Sequence, residues 1–178
     1  MAAPAERPRV GLLYGSSTCY TEMAAERIAA ALDGFQVELL NLALVPLGAA
    51  DDYSLLILGI PTWDYGELQE DWERAWPQLG EVDWATKQVA LFGLGDQEGY
   101  PDWFQDALGY LAREVAARGA RLVGRWPAAG YRFAQSRALT EDGRHFLGLA
   151  LDEVSEFELS EERIRIWCAQ VAAEFRRG

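Results

Sequence analysis

The feature that most constrains this chain is an alternation. Short, almost wholly apolar runs are separated by longer stretches whose apolar residues recur at helical spacing. Val10–Tyr14 reads as a first strand, Gln36–Leu40 as a second, Tyr53–Gly59 as a third, Gln88–Leu94 as a fourth and Ala120–Gly124 as a fifth. Between them, Ala24, Ile28 and Ala31 share one face of a helix over Thr21–Leu32. Leu68, Trp72, Trp76 and Leu79 mark a second helix, Phe104, Leu108, Leu111 and Val115 a third, and Ile164, Trp167, Cys168 and Val171 a closing one. Strands that are apolar on both faces belong in a parallel sheet covered by helices on either side. The expected fold is therefore α/β, a three-layer, doubly wound, five-stranded parallel sheet, and right-handed crossovers leave few strand orders. In such sheets ligands bind beyond the carboxyl ends of the strands, where the order reverses. The loops after strands one, three and four are the places to look for chemistry.

One stretch breaks the rhythm. Trp126–Phe146 carries Pro127, Gly130, Gly143 and scattered charges, and it delays the closing helix. It reads as an insertion of about residues 126–146 within or after the last strand, in a single domain spanning 1–178.

Charge narrows the partners. The chain has 16 basic and 28 acidic residues, a net charge of −12. That is the wrong sign for nucleic acid or an anionic membrane, whose binding rests on Lys and Arg patches, and basic protein partners are the better expectation. No apolar run is long enough to span a bilayer, and the first residues lack a signal-peptide core. With only Cys19, Cys168 and a single His145 there is no disulfide framework and no metal-ligand spacing. A reduced, cytoplasmic setting is the expectation.

Three loops carry the functional signal. After strand one comes Gly15-Ser16-Ser17-Thr18-Cys19-Tyr20-Thr21-Glu22, with no Lys or Arg between Arg9 and Arg27. Backbone N–H groups at a helix N-terminus, helped by hydroxyls, can cradle a phosphate without a basic side chain. An N-cap cluster closing a strand would look the same. The Gly-Lys-Ser/Thr ending of a nucleoside-triphosphate loop is missing. After strand three comes Pro61-Thr62-Trp63-Asp64-Tyr65-Gly66, which puts a Trp at the binding edge of the sheet. After strand four comes Gly93-Leu94-Gly95-Asp96-Gln97-Glu98-Gly99-Tyr100, where glycines permit close backbone approach and Tyr100 is a second aromatic. A phosphate nest and two aromatics at adjacent strand ends describe a planar aromatic ligand bearing a phosphate. A thiol at a helix N-terminus can also be a redox group, but Cys19 has no resolving cysteine nearby, and Cys168 lies on an apolar helix face.

At these residues the chain resembles the flavodoxin family, in its long-chain, flavodoxin 2-like branch. The resemblance runs through Tyr14–Glu22, Gly59–Gln69, Gly93–Gln97, the Trp126-Pro127 and Gly130–Phe133 stretches and Gly148–Asp152. Flavodoxin is itself a standard example of the strand order 2-1-3-4-5 with flavin mononucleotide (FMN) at the switch point, so that order and that cofactor are what the resemblance implies. It further implies that Ser16, Ser17, Thr18, Cys19, Tyr20 and Thr21 hold the FMN phosphate and that Trp63 and Tyr100 flank the ring. Backbone of the Pro61, Thr62, Asp64, Tyr65 and Gly66 loop and of Leu94, Gly95, Asp96 and Gln97 would address the ring's edges, with Asp152 near the ribityl chain. The sequence departs from the family in one place, where Cys19-Tyr20 stand in place of its usual Gly-Asn.

The implied role is a low-potential one-electron carrier, not a catalyst, passing electrons from an NADPH-dependent flavodoxin reductase to acceptor enzymes as a monomer docked through its acidic face. Asp64, Glu67, Glu70 and Asp71 follow the Trp and Asp96, Glu98, Asp102 and Asp106 surround the Tyr, so a reduced, anionic flavin would form in a negative field. A carboxylate about 10 Å away contributes roughly 0.4–1.7 kcal/mol. Two other readings stay open: an FMN-dependent NAD(P)H–quinone reductase on the same fold, and an interaction module that has lost the cofactor.

Overall fold

The computed structural model describes residues 1–178. Strand β1 (Arg9–Tyr14) leads through helix α1 (Tyr20–Ala31) to β2 (Gln36–Asn41). Strand β3 (Leu55–Trp63) turns into a short antiparallel β4 (Glu67–Leu68), and helix α2 (Glu70–Ala75) follows. Strand β5 (Gln88–Leu94) is followed by α3 (Asp106–Ala117) and β6 (Arg121–Val123). A two-stranded ribbon, β7 (Trp126–Pro127) with β8 (His145–Phe146), precedes β9 (Leu149–Leu151), and α4 (Ser160–Arg177) closes the chain.

The parallel sheet runs β2-β1-β3-β5-β6, the reversal of order falling between β1 and β3. Right-handed crossovers that run in opposite directions from this point put their helices on opposite faces. Helix α1 packs with α4, where Ile28, Trp167, Cys168 and Val171 are fully buried, and α3 covers β3 and β5. Each such large apolar side chain contributes about 1.5–3 kcal/mol by leaving water. Val10, Leu12, Leu13, Leu56–Leu58 and Val89–Phe92 are wholly buried, as strands covered on both faces require.

Three details depart from the sequence reading, each for a local reason. Tyr53 ends a 3-10 turn (Leu47–Asp52) instead of starting β3, and its ring lies over Gly11, where a Cβ would sit 2.7 Å from it. The second helix stops at Ala75 and continues as 3-10 turns through Glu81, because Pro77 has no N–H to donate to an α-helical ladder. The fifth strand position is filled twice. Arg121–Val123 pairs with Gln88–Ala90, the chain leaves at Gly124 (φ 81°), and Leu149–Leu151 returns beside Phe92–Leu94. The excursion thus lies inside the strand and emerges next to the carboxyl end of β5.

Candidate functional site

The strand register brings three loops to one edge. Tyr14 pairs with Gly59, Gly59 with Phe92 and Pro61 with Leu94, so the loops after β1, β3 and β5 leave the sheet side by side.

In the first loop, Ser17, Thr18, Cys19 and Tyr20 are exposed, Ser16 is half-buried and Thr21 is buried. None of the backbone N–H groups of residues 16–19 donates to a protein acceptor, and those opening α1 have none within the helix. Cys19 occupies the N-cap in the left-handed region (φ 69°) and makes no side-chain cap bond. That conformation favours glycine, and an L side chain there costs about 1–2 kcal/mol. The Ser16 hydroxyl accepts a long bond from Glu22 N (3.4 Å), and Ser17 Oγ accepts one from Gln69 Nε2 (3.0 Å).

The second loop is a tight turn from Trp63 to Gly66, closed by Gly66 N donating to Trp63 O (3.1 Å). Asp64 takes φ 40° and Gly66 φ 89°. Pro61 is paired within the sheet, and Thr62 Oγ1 accepts from Ala107 N at the start of α3 (3.0 Å). The Trp63 indole N–H is buried with no acceptor.

In the third loop Asp96 folds back on itself, its Oδ1 accepting from Gly99 N (2.8 Å) and Glu98 N (3.2 Å). Leu94 is buried at the end of β5, and Gly95 N donates to Leu151 O (3.0 Å), fixing the loop to β9. Tyr65 stands edge-on to Tyr100 (5.9 Å) and to Trp103 (5.0 Å), which joins the second and third loops. The nearby Asp64 carboxylate, through polar interaction with the phenol and through its charge, raises the Tyr100 pKa.

Two residues read from sequence as ligand contacts, Asp152 and Gln97, are also braced within the protein. Asp152 and Gln97 are both fully buried. Asp152 Oδ2 accepts from Gln97 N and Gln97 Nε2 (3.0 Å each), and its Oδ1 from Val154 N (3.1 Å) and Ser155 N (2.8 Å). Gln97 Oε1 in turn accepts from Arg132 N of the excursion (2.6 Å).

The negative field expected at this edge is partly offset by pairing and burial. Asp71 is buried and paired with Arg74. Asp106 is buried beside Gly66, accepts from Arg137 N, and has its pKa raised by that burial. Glu98 is bridged by Arg132 (2.5 Å), a cation that the excursion brings in from far along the chain. Asp64, Glu67 and Asp102 remain exposed. Gln69, whose side chain joins the first loop to α2, was missed. Glutamine is not among the usual N-cap residues, and only the acidic first turn after it, Glu70-Asp71, hints at a helix start there.

Comparison with known proteins decides the family. A family model described as flavodoxin matches residues 12–167. The chain belongs to the flavodoxin family. It is 52% identical to flavodoxin 2 of Salmonella typhi and 51% identical to flavodoxin 2 of Escherichia coli K12, in both cases over 93% of this chain and 95% of the relative. The solved flavodoxin of Fusobacterium nucleatum bound to flavin mononucleotide superposes with a TM-score of 0.87 at 29% identity, covering 93% of this chain and 98% of that one. As a flavodoxin, the chain works among redox partners. No helix is long and apolar enough to cross a membrane.

Proposed function

We propose that this flavodoxin binds one FMN non-covalently between its three loops and works as a low-potential one-electron carrier. The observation that carries the reading is the row of backbone donors at residues 16–19 without protein acceptors, in a segment free of Lys and Arg. A phosphate dianion suits such donors at a helix N-terminus. Bound FMN supplies the electron-transfer chemistry. The residues of this chain orient and bias it. Ser16–Thr21 hold the phosphate, Trp63 and Tyr100 flank the ring, and the loop backbone from Pro61 to Gly66 and from Leu94 to Gln97 meets its edges. Asp152 acts through Gln97, because its own oxygens are taken. The free Trp63 indole N–H and the exposed Asp64 carboxylate leave a donor and a negative charge at the ring side.

The physiological setting follows from charge. A cytoplasmic monomer at −12 meets basic partners, an NADPH-dependent flavodoxin reductase upstream and acceptor enzymes downstream, through its acidic edge. The test is turnover. With FMN bound, the protein should accept electrons from NADPH only when a flavodoxin reductase is present and should then reduce a one-electron acceptor. Steady NAD(P)H–quinone turnover by the purified protein alone contradicts the carrier role.

A further inference from the structure

We propose that Gln69 is a positioning residue for the phosphate loop, holding the Ser17 hydroxyl so that its proton faces the bound anion. The inference rests on the placement of the FMN phosphate at residues 16–21. Gln69 is 1% exposed and caps α2, its Oε1 accepting from Asp71 N (3.1 Å) and Trp72 N (3.3 Å). The amide nitrogen then donates one proton to Asp71 Oδ2 (2.7 Å) and the other to Ser17 Oγ (3.0 Å). Asp71 is itself buried and held by Arg74. The amide orientation is fixed from both ends: the backbone N–H groups of Asp71 and Trp72 can donate only to an oxygen on one side, and the Asp71 carboxylate can accept only from an N–H on the other.

A hydroxyl has one proton and two lone pairs. With a Ser17 lone pair already occupied by Gln69, its proton turns away from α2 toward the open side of the loop. A phosphate dianion offers acceptors only, so a hydroxyl fixed as a donor binds it without first reorienting. The relay Arg74–Asp71–Gln69–Ser17 thus joins α2 to the first loop and sets the polarity of a group that could otherwise face either way. Its compactness is visible at Gly15, where a Cβ would lie 2.1 Å from Gln69 Oε1.

Gln69→Glu reverses the polarity. The new carboxyl and Asp71 share a proton between them, as close carboxyls do, and Ser17 must then donate to the carboxyl and present a lone pair to the phosphate. FMN and riboflavin affinities, measured by quenching of flavin fluorescence, separate this from a general loss of structure. FMN affinity should fall about ten- to a hundredfold, the range for a hydrogen bond to a charged group, with riboflavin affinity unchanged. Gln69→Met removes the donor without adding charge and should lower the FMN/riboflavin ratio less. In a Ser17→Ala background Gln69→Met should leave the ratio where Ser17→Ala put it. Equal losses for the two flavins, an unchanged ratio in Gln69→Met, or an additive loss in the double variant would overturn the relay. If Ser17→Ala and Thr18→Ala both leave the ratio unchanged, the phosphate placement fails as well, and the relay with it.

Discussion

Asp152→Asn is a sharp perturbation because it changes one atom in a group whose every acceptor is used. The carboxylate is fully buried and receives four N–H bonds, two from Gln97 and two from residues 154 and 155. An asparagine keeps one oxygen, which can serve Val154 and Ser155. Its nitrogen then faces Gln97 N and Nε2, donor against donor. Gln97 cannot escape by turning its amide, because Oε1 already accepts from Arg132 N at 2.6 Å. Bonds to a charged acceptor are worth about 1.5–3 kcal/mol each. After local relaxation, the loss of the Gln97 pair should cost about 2–4 kcal/mol of a total stability near 5–15 kcal/mol. At about 2–4 °C per kcal/mol for a chain of this size, the melting temperature should fall by roughly 4–16 °C. Urea unfolding of the apoprotein, followed by tryptophan fluorescence, reads the change directly, with the slope m unchanged. FMN and riboflavin affinities should fall together, since the loosened loop faces the ring and not the phosphate. An Asn variant within about 0.5 kcal/mol of the parent, the range of an ordinary surface substitution, would refute the brace.

Cys19→Gly should stabilise the apoprotein by up to about 1 kcal/mol, the left-handed strain relieved less the added freedom of the unfolded chain, as urea unfolding can measure. A thiol reagent should label one cysteine per native chain: Cys19 is exposed, whereas burial pushes Cys168 up to about 12. The raised thiol of Cys168 also gives the high-pH limb a sign. Its contribution to stability is whole below the ordinary thiol value of 9.0 and declines as pH rises from there toward 12. Cys168→Ala should therefore make the high-pH decline in a stability profile shallower, the remainder coming from raised phenols such as Tyr131. Electron transfer from a flavodoxin reductase should slow as salt is raised under association-limited conditions, with screening over a Debye length of about 8–10 Å; a rate flat across salt contradicts docking through the acidic edge.

Much of this was legible in the sequence because the responsible physics is local. Strands such as Val10–Tyr14 and Gln88–Leu94 are apolar on both faces, a pattern that only a covered sheet satisfies, and the hydroxyl loop without Lys or Arg stands out against a charged background. The failures share a cause: each depends on where distant segments meet. Leu149–Leu151 is too short a run to declare itself a strand, and only its pairing with Phe92–Leu94 makes it half of the fifth strand. Asp71 and Asp106 look like first-turn surface acids until Arg74, Gln69 and the backbone of Arg137 enclose them. Arg132 comes down on Glu98 from the excursion, so its effect on the acidic edge has no local signature. The resemblance sets Asp152 near the ribityl chain, and only the fold shows that its Oδ2 also holds the backbone and side-chain N–H groups of Gln97.

The central claim, one FMN held at the three loops, is tested most directly by titrating the apoprotein with FMN and following flavin fluorescence. Stacking against Trp63 and Tyr100 predicts near-complete quenching with a sharp end point at one FMN per chain, and partial recovery of fluorescence in a Tyr100→Ala variant. Flavin fluorescence that stays bright at saturation, or an apoprotein that takes up no FMN, would contradict the account.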